Sequence, residues 1–160
     1  MTTLTEFLRE KAAKHAAESA KNEGIIKEWD DALRRLYAQV RDWLVASDPD
    51  RVLSVDESST DIHEEALGRY KVPRLNIKAL GQWVSLIPKA RFTVGTAYPP
   101  QKTTPERAAG RVDITNEARR HVLYRFHGPN GDVWLIDDLK SSPVELNREN
   151  FEAVLMSYFR

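Results

Sequence analysis

The feature that constrains the fold most is a wide apolar stripe in the first third of the sequence. Between residues 25 and 44, large apolar side chains recur at steps of three and four, which places them on one side of a helix of about six turns. They are Ile25, Ile26, Trp29, Leu33, Leu36, Tyr37, Val40, Trp43 and Leu44. Such a stripe needs a large apolar surface to cover it, either a sheet in the same chain or a helix of a partner.

The segment before the stripe also favours helix but has little to bury. Thr3 and Glu6 have the spacing of a capping box, and the following residues up to 23 are rich in Ala, Lys and Glu. Gly24 separates this segment from the stripe, and a glycine weakens the interior of a helix. We therefore predict a helical arm and a helix over 1–47. The sequence leaves open whether helix 4–23 continues into helix 25–47.

From residue 48 to 146 the pattern changes to short extended runs separated by turns. The acidic stretch 57–65 predicts a loop or a short helical turn, and 95–110, with three prolines, predicts a long loop. HGPNGD predicts a tight hairpin between two apolar runs. The predicted strands lie in 51–56, 70–80, 83–94, RVDI, HVLYRF and DVWLID. Alternation in the last two gives as core candidates Val122, Tyr124, Phe126, Val133 and Leu135.

The order of these elements predicts an α+β fold in a single domain, 1–160. Asn147 caps a short final helix over 147–160. Short turns between neighbouring strands favour antiparallel pairing. We expect an antiparallel sheet of about five or six strands over 48–146, packed on the long N-terminal amphipathic helix and the short C-terminal helix.

Composition excludes several classes of function. The chain has no cysteine, which excludes disulfides, zinc–thiolate sites and thiol catalysis. His121 and His127 lie about 20 Å apart along one predicted strand, too far to share a metal ion. No nucleophile elbow or phosphate-binding glycine loop is present. We therefore predict no cofactor and no metal. The N-terminus lacks a signal-peptide core, and no run is long enough for a membrane helix, so we predict a cytoplasmic protein.

The formal net charge is zero, but the charges are unevenly distributed along the chain. Residues 48–65 hold seven acidic side chains and one basic, whereas residues 66–111 hold nine basic and one acidic. A basic sheet face with a basic loop suits an anionic partner, although it is also typical of a solvated edge. The residues predicted to bind such a partner are Lys78, Lys89, Arg91, Lys102 and Arg107.

Two acids and a lysine at strand ends raise an enzymatic alternative. Asp113, Asp138 and Lys140 resemble the PD-(D/E)xK pattern of the restriction-endonuclease-like superfamily, and the resemblance covers Gly110 to Lys140. It implies a metal-dependent nuclease in which the acids bind a divalent ion, the lysine orients water, and Glu28 is the helical acid. The chain departs from that pattern because HVLYRF lies between the two acids and pairs naturally with DVWLID.

We predict a non-enzymatic protein that binds another macromolecule, with the nuclease as the alternative. The binding would use the basic sheet face and the aromatic-rich helix. A protein partner is favoured over nucleic acid, because few aromatic side chains accompany the basic block. A homodimer through the N-terminal helices is the other expected assembly. The residues expected to serve packing or assembly are Trp29, Leu33, Leu36, Val40 and Trp43.

Overall fold

The computed structural model describes residues 2–160 and begins with one helix, α1, over Leu4–Ser47. Thr3 and Glu6 form the predicted capping box, in which the hydroxyl of Thr3 accepts a hydrogen bond from the backbone N–H of Glu6. The helix passes through Gly24 without a break, so its 44 residues extend over about 66 Å. The question left open by the sequence is answered in favour of a continuous helix.

The rest of the chain is a sheet of seven strands followed by a second helix. The strands are β1 (Ser54–Glu64), β2 (Gly68–Ala79), β3 (Gln82–Ala90), β4 (Arg111–Thr115), β5 (Arg120–Gly128), β6 (Gly131–Asp137) and β7 (Val144–Glu145), and the helix is α2 (Arg148–Phe159). Every strand pairs antiparallel with its neighbour in the sequence, so β1 and β7 form the two edges. The predicted α+β fold is confirmed, with seven strands instead of five or six.

Both helices pack on one side of the sheet, which we call the helix face. It carries Leu75, Ile77, Val84, Leu86, Val112, Ile114, Leu123 and Trp134. Trp29 of α1 stacks on Trp134 with ring centroids 6.2 Å apart, and Trp43 meets Phe151 of α2 at 5.9 Å. The buried residues of α1 are Trp29, Ala32, Leu33, Leu36, Tyr37, Val40 and Leu44. The apolar stripe is thus covered by the chain's own sheet.

The N-terminal part of α1 projects beyond the sheet. Its side chains are exposed up to residue 18, including those of Leu4, Phe7 and Leu8. The side-chain amide of Asn22 donates to the carbonyl of Ala66 in the β1–β2 turn at 3.2 Å, which marks where the helix leaves the sheet. Within residues 2–160, no helix has an apolar stretch long enough to cross a membrane.

The prediction of a loop or helical turn over 57–65 is wrong, because β1 continues to Glu64. Eleven successive residues of β1 pair in register with β2, from Ser54 opposite Lys78 to Glu64 opposite Gly68. The backbone hydrogen bonds of this ladder outweigh the low strand preference of the acidic residues. The charged run is therefore an extended strand at the edge of the sheet.

A second, smaller apolar cluster lies on the opposite side of the sheet. It joins Phe126 and Leu135 to Ala108 of the segment 91–110, with Ala97 and Tyr124 packed against it. Hydrogen bonds within the segment stabilise its conformation. Ala97 and Glu106 exchange backbone hydrogen bonds of 3.0 and 2.9 Å, and the hydroxyl of Thr93 donates to the carbonyl of Ala108 at 3.0 Å. Strands β5 and β6 consequently bury apolar side chains on both faces.

Candidate binding surface

The side of the sheet opposite the helices is the open face, defined by Asn76, Ser85, Asp113, Tyr124 and Leu135. Register pairs connect these positions across the sheet, because Asn76 lies opposite Ser85 and Tyr124 lies opposite Leu135. In the described part of the chain no helix covers this face, and only the segment 91–110 packs on it. The remainder is mostly polar and charged, with Trp83, Ile87 and Val122 placed on it by their register with Lys78 and Asp113. The open face is therefore the first candidate for a binding surface.

One half of the open face carries a chain of polar side chains centred on Asn76. Its amide donates to Asp56 at 2.9 Å and to Ser58 at 3.0 Å, while its oxygen accepts from Ser85 at 2.8 Å and from Arg74 at 3.1 Å. All four hydrogen-bonding positions of the amide are therefore used. This half is an ordered polar surface across β1, β2 and β3.

The centre of the open face holds a buried carboxylate shared by two arginines. Asp113 is only 2% exposed, and Arg111 donates to both of its oxygens, at 2.9 and 3.3 Å. Arg120 approaches the same carboxylate at 3.9 Å. The hydrogen bond with Asp113 raises the pKa of Arg111. Two guanidinium groups on one carboxylate leave one positive charge in excess, and both arginines are partly exposed.

The residues of the nuclease pattern are not brought together. Asp113 lies on β4 and Asp138 follows β6, and β5 lies between these strands. Asp138 caps its own loop: it accepts from the backbone N–H groups of Lys140 at 2.9 Å and Ser141 at 2.8 Å, and these hydrogen bonds lower its pKa. Within residues 2–160, no group of three or more His, Asp or Glu side chains has the arrangement of a metal site.

Glu28, the fourth residue of the nuclease pattern, lies on the other side of the sheet. It forms an ion pair with Arg125, a helix-face residue whose guanidinium also donates to Asp132 at 3.0 Å. Arg125 is 1% exposed and lies 5.9 Å from the ring of Trp29. Hydrogen bonds from Arg125 lower the pKa of Glu28. This cluster joins α1 to β5 and β6, and nothing in the sequence beyond the helix-face position of Arg125 in HVLYRF indicated it.

The five basic residues predicted to bind an anionic partner do not form one patch. Lys78 and Lys89 are exposed at opposite ends of the β2–β3 hairpin, because Lys78 pairs with Trp83 and Lys89 lies about 20 Å farther along β3. Arg91 is half-buried, with its guanidinium 5.2 Å from the ring of Phe92. Burial, followed by the nearby charge of Arg125, lowers the pKa of Arg91.

Lys102 and Arg107 lie together in the segment 91–110 and are both exposed. Lys102 is 3.9 Å from Glu106, in a pair that leaves about half of the lysine side chain accessible. These two residues border the open face next to the small apolar cluster. Lys102 lines a smaller recess with Phe126 and Val133, and Arg107 precedes Ala108, which lines a larger recess.

The larger recess is a cavity of about 540 Å³ between the segment 91–110 and strands β5 and β6. Its lining includes four members of the small apolar cluster and two strongly exposed side chains, Val94 (95%) and Tyr98 (64%). Asp137 and Ser142 provide polar groups on the opposite wall. The volume lies in the range of cavities that enclose a ligand or a protruding side chain. A cavity with apolar walls and exposed apolar rims is typical of an interaction site.

Comparisons with known proteins add no constraint to this geometry. No protein-family model matches the chain, and no curated protein and no solved structure is significantly similar to it.

Proposed function

We propose that the chain is a non-enzymatic accessory protein that binds another protein through the open face of its sheet. The observation that carries this proposal is the cavity of about 540 Å³, which is formed by ordered backbone contacts and rimmed by exposed Val94 and Tyr98. An exposed apolar rim costs free energy in water, which a partner's apolar side chain would recover. Its cytoplasmic location stays a prediction.

Charge around the cavity supports a partner that presents an acidic segment. Arg111 pairs in register with Tyr124, so the excess positive charge at Asp113 lies beside the cavity wall. Lys102 and Arg107 add positive charge on the covering segment. An apolar side chain in the cavity and a neighbouring carboxylate near these cations would give the partner both affinity and orientation. Nucleic acid is the second class of partner, which the test below distinguishes.

The experiment is photo-crosslinking inside cells with a benzophenone amino acid in place of Tyr98, with the same amino acid at Lys11 on the projecting part of α1 as the matched control. The expected result is one protein crosslinked from position 98 and not from position 11. That protein is then purified, and its affinity for the wild-type chain is measured by calorimetry. Ala97→Leu and Ala108→Leu, which fill the cavity, are expected to weaken binding at least tenfold. Ala13→Leu on the exposed arm is the control and should leave it unchanged.

A charge test separates the two classes of partner. Lys102→Glu should weaken binding of the purified protein, whereas Lys14→Glu on the arm should not. The anisotropy of a fluorescent single-stranded oligonucleotide should not change when the chain is added. Oligonucleotide binding that Lys102→Glu abolishes, or equal crosslinking from positions 98 and 11, would contradict the proposal.

A further inference from the structure

The first strand leaves an unusually long free edge. β1 pairs with β2 along eleven residues and has no strand on its other side in the described chain. The edge therefore extends over about 37 Å. The one side-chain hydrogen bond to the backbone of β1 found within residues 2–160 runs from Arg41 to the carbonyl of Val55, at 3.5 Å. Alternate N–H and C=O groups along β1 are thus free to pair with another extended chain.

Apart from its charged side chains, β1 lacks the usual means of protecting an edge strand. Its sequence, SVDESSTDIHE, has no proline and no lysine or arginine, and its register with β2 is unbroken. Proteins generally shorten an edge strand, interrupt it with a bulge, or place a lysine on it. The opposite edge follows that rule, because β7 is only two residues long. The β7 edge is therefore protected by its short length, whereas the β1 edge is long and open to pairing.

The side-chain charge on β1 is mostly negative, and the ion pairs of these carboxylates are long. Asp61 is 81% exposed and 3.8 Å from Lys71, whereas Asp56 is 52% exposed, 4.0 Å from Lys78 and also accepts a hydrogen bond from Asn76 at 2.9 Å. Exposed pairs at these distances contribute little free energy and are easily exchanged for another cation. Glu57 is 3.7 Å from Arg41. Glu64 differs, because it accepts from Tyr70 and from the backbone N–H groups of Arg91 and Phe92.

We infer that the free edge of β1 binds an extended, basic segment of a partner protein by strand addition. Backbone hydrogen bonds would supply the register, and lysine or arginine side chains of the segment would pair with Glu57 and Asp61, which lie on the same face of β1. A second copy of this chain fits less well, since its β1 carries the same carboxylates and like charges across a ladder are destabilising. The negative charge thus selects for a basic partner and against self-pairing.

This binding site is independent of the proposed function. It lies at the β1 edge, whereas the cavity lies between the segment 91–110 and strands β5 and β6. Its partner is basic, whereas the segment proposed for the open face is acidic. Either site can fail its test without affecting the other.

The probe is a nine-residue peptide of alternating Lys and Val, and the control peptide has Glu in place of each Lys. Binding to the full chain is measured by calorimetry, and backbone amide exchange is followed residue by residue. The expected result is binding of the Lys peptide alone, with new protection of alternate amides of β1. Affinity should fall as salt is added, because exposed charges are screened. Binding that protects no amide of β1, or equal binding of the Glu peptide, would overturn the inference.

Two sets of variants test the two parts of the contact. The double change Glu57→Gln and Asp61→Asn is expected to lower the affinity for the Lys peptide at least tenfold. The matched change Glu10→Gln and Glu18→Gln on the arm should have no effect. An unchanged affinity in the first double variant would overturn the role of charge.

The backbone part is tested by proline. Successive N–H groups of a strand point to opposite edges, so proline at one of Ser59 and Thr60 removes an outward N–H and proline at the other breaks the ladder with β2. The variant that retains wild-type stability should lose peptide binding and amide protection. Retained binding in that folded variant would overturn strand addition. If both proline variants are destabilised, the amide-protection pattern and the charge variants decide whether the peptide adds to β1 as a strand.

Discussion

Gly110 lies directly against the indole of Trp29, so that a side chain at this position would overlap the six-membered ring. The contact joins the segment 91–110 to the buried side of α1. The carbonyl of Gly110 also accepts a hydrogen bond from the N–H of Arg125, at 2.9 Å. Packing at Gly110 therefore joins the segment on the open face to the helix on the other side of the sheet.

Gly110→Ala should destabilise the protein by about 1–3 kcal/mol, because the added methyl group must displace Trp29 from its packing on Trp134. The matched control is Gly24→Ala, where a β-carbon meets nothing within 4 Å. Alanine there should stabilise the protein by about 0.5–1 kcal/mol, since it favours helix over the unfolded chain. Urea unfolding measures both. Equal effects of the two changes would contradict the contact.

Leu80→Asn should stabilise the protein by about 1 kcal/mol. Leu80 has a φ of 52° and is 89% exposed, so the leucine has unfavourable backbone geometry and little packing to lose. Asn-Gly is the preferred pair for a two-residue turn with both φ angles positive. Thermal unfolding is the measurement, and Leu80→Ala is the control that removes the exposed side chain without favouring the turn. A loss of stability in Leu80→Asn would show that the turn has another geometry.

Arg125→Met should destabilise the protein by about 3 kcal/mol, because it removes the buried partner of Glu28 and Asp132 while leaving their charges. Arg34→Met removes an exposed guanidinium paired with Asp30 on the surface of α1 and should cost no more than about 0.5 kcal/mol. Urea unfolding of the two variants compares the loss of a buried guanidinium with the loss of an exposed one. Similar costs would mean that the Arg125 cluster adds nothing beyond a surface pair.

Glu28→Gln should destabilise the protein near neutral pH and have less effect in acid. The pKa of Glu28 in the folded protein is lowered from 4.5 by its hydrogen bond with Arg125. The ionised carboxylate therefore contributes stability above pH 4.5, and this contribution is lost as the pH falls through the lower folded pKa. The free energy of unfolding of both proteins, measured from about pH 7 to about pH 3, should converge at the acid end. A difference of constant size would contradict the predicted linkage.

Removal of residues 2–20 should leave the free energy of unfolding unchanged within about 0.5 kcal/mol, because the side chains there are almost all exposed. In the intact chain, amides of this part of α1 should exchange faster than those between Trp29 and Leu44. Light scattering of the truncated and full-length proteins tests the predicted homodimer separately. A dimer of the full chain that becomes a monomer on truncation would assign self-association to the arm.

The elements with strong local signals could be predicted from the sequence. The stripe from Ile25 to Leu44 placed α1, and the hairpin at HGPNGD placed β5 beside β6. The strand over Glu57–Glu64 was missed because it depends on pairing with β2, which no local preference of acidic residues reveals. Phe126 and Leu135 are buried as predicted but in the smaller cluster, because both faces of β5 are apolar and alternation alone does not identify the face toward the helices.

The candidate sites were harder to predict, because they depend on how strands are ordered and how far each extends. Lys78 and Lys89 share an outward position in the alternating pattern, yet the length of β3 separates them. Asp113 and Asp138 follow similar apolar runs, yet β5 lies between their strands. Arg120 gave no local signal of its role at Asp113, since it acts across the β4–β5 ladder.

The 97 residues that separate Glu28 from Arg125 also set a timescale during synthesis. At about 5–20 residues per second, the ribosome needs roughly 5–20 s to add Arg125 after Glu28 has been added. During this interval the tryptophan-bearing side of α1 lacks most of the surface that later covers it. A nascent chain of this kind is prone to aggregation and to binding by chaperones until Trp134 of β6 packs on Trp29.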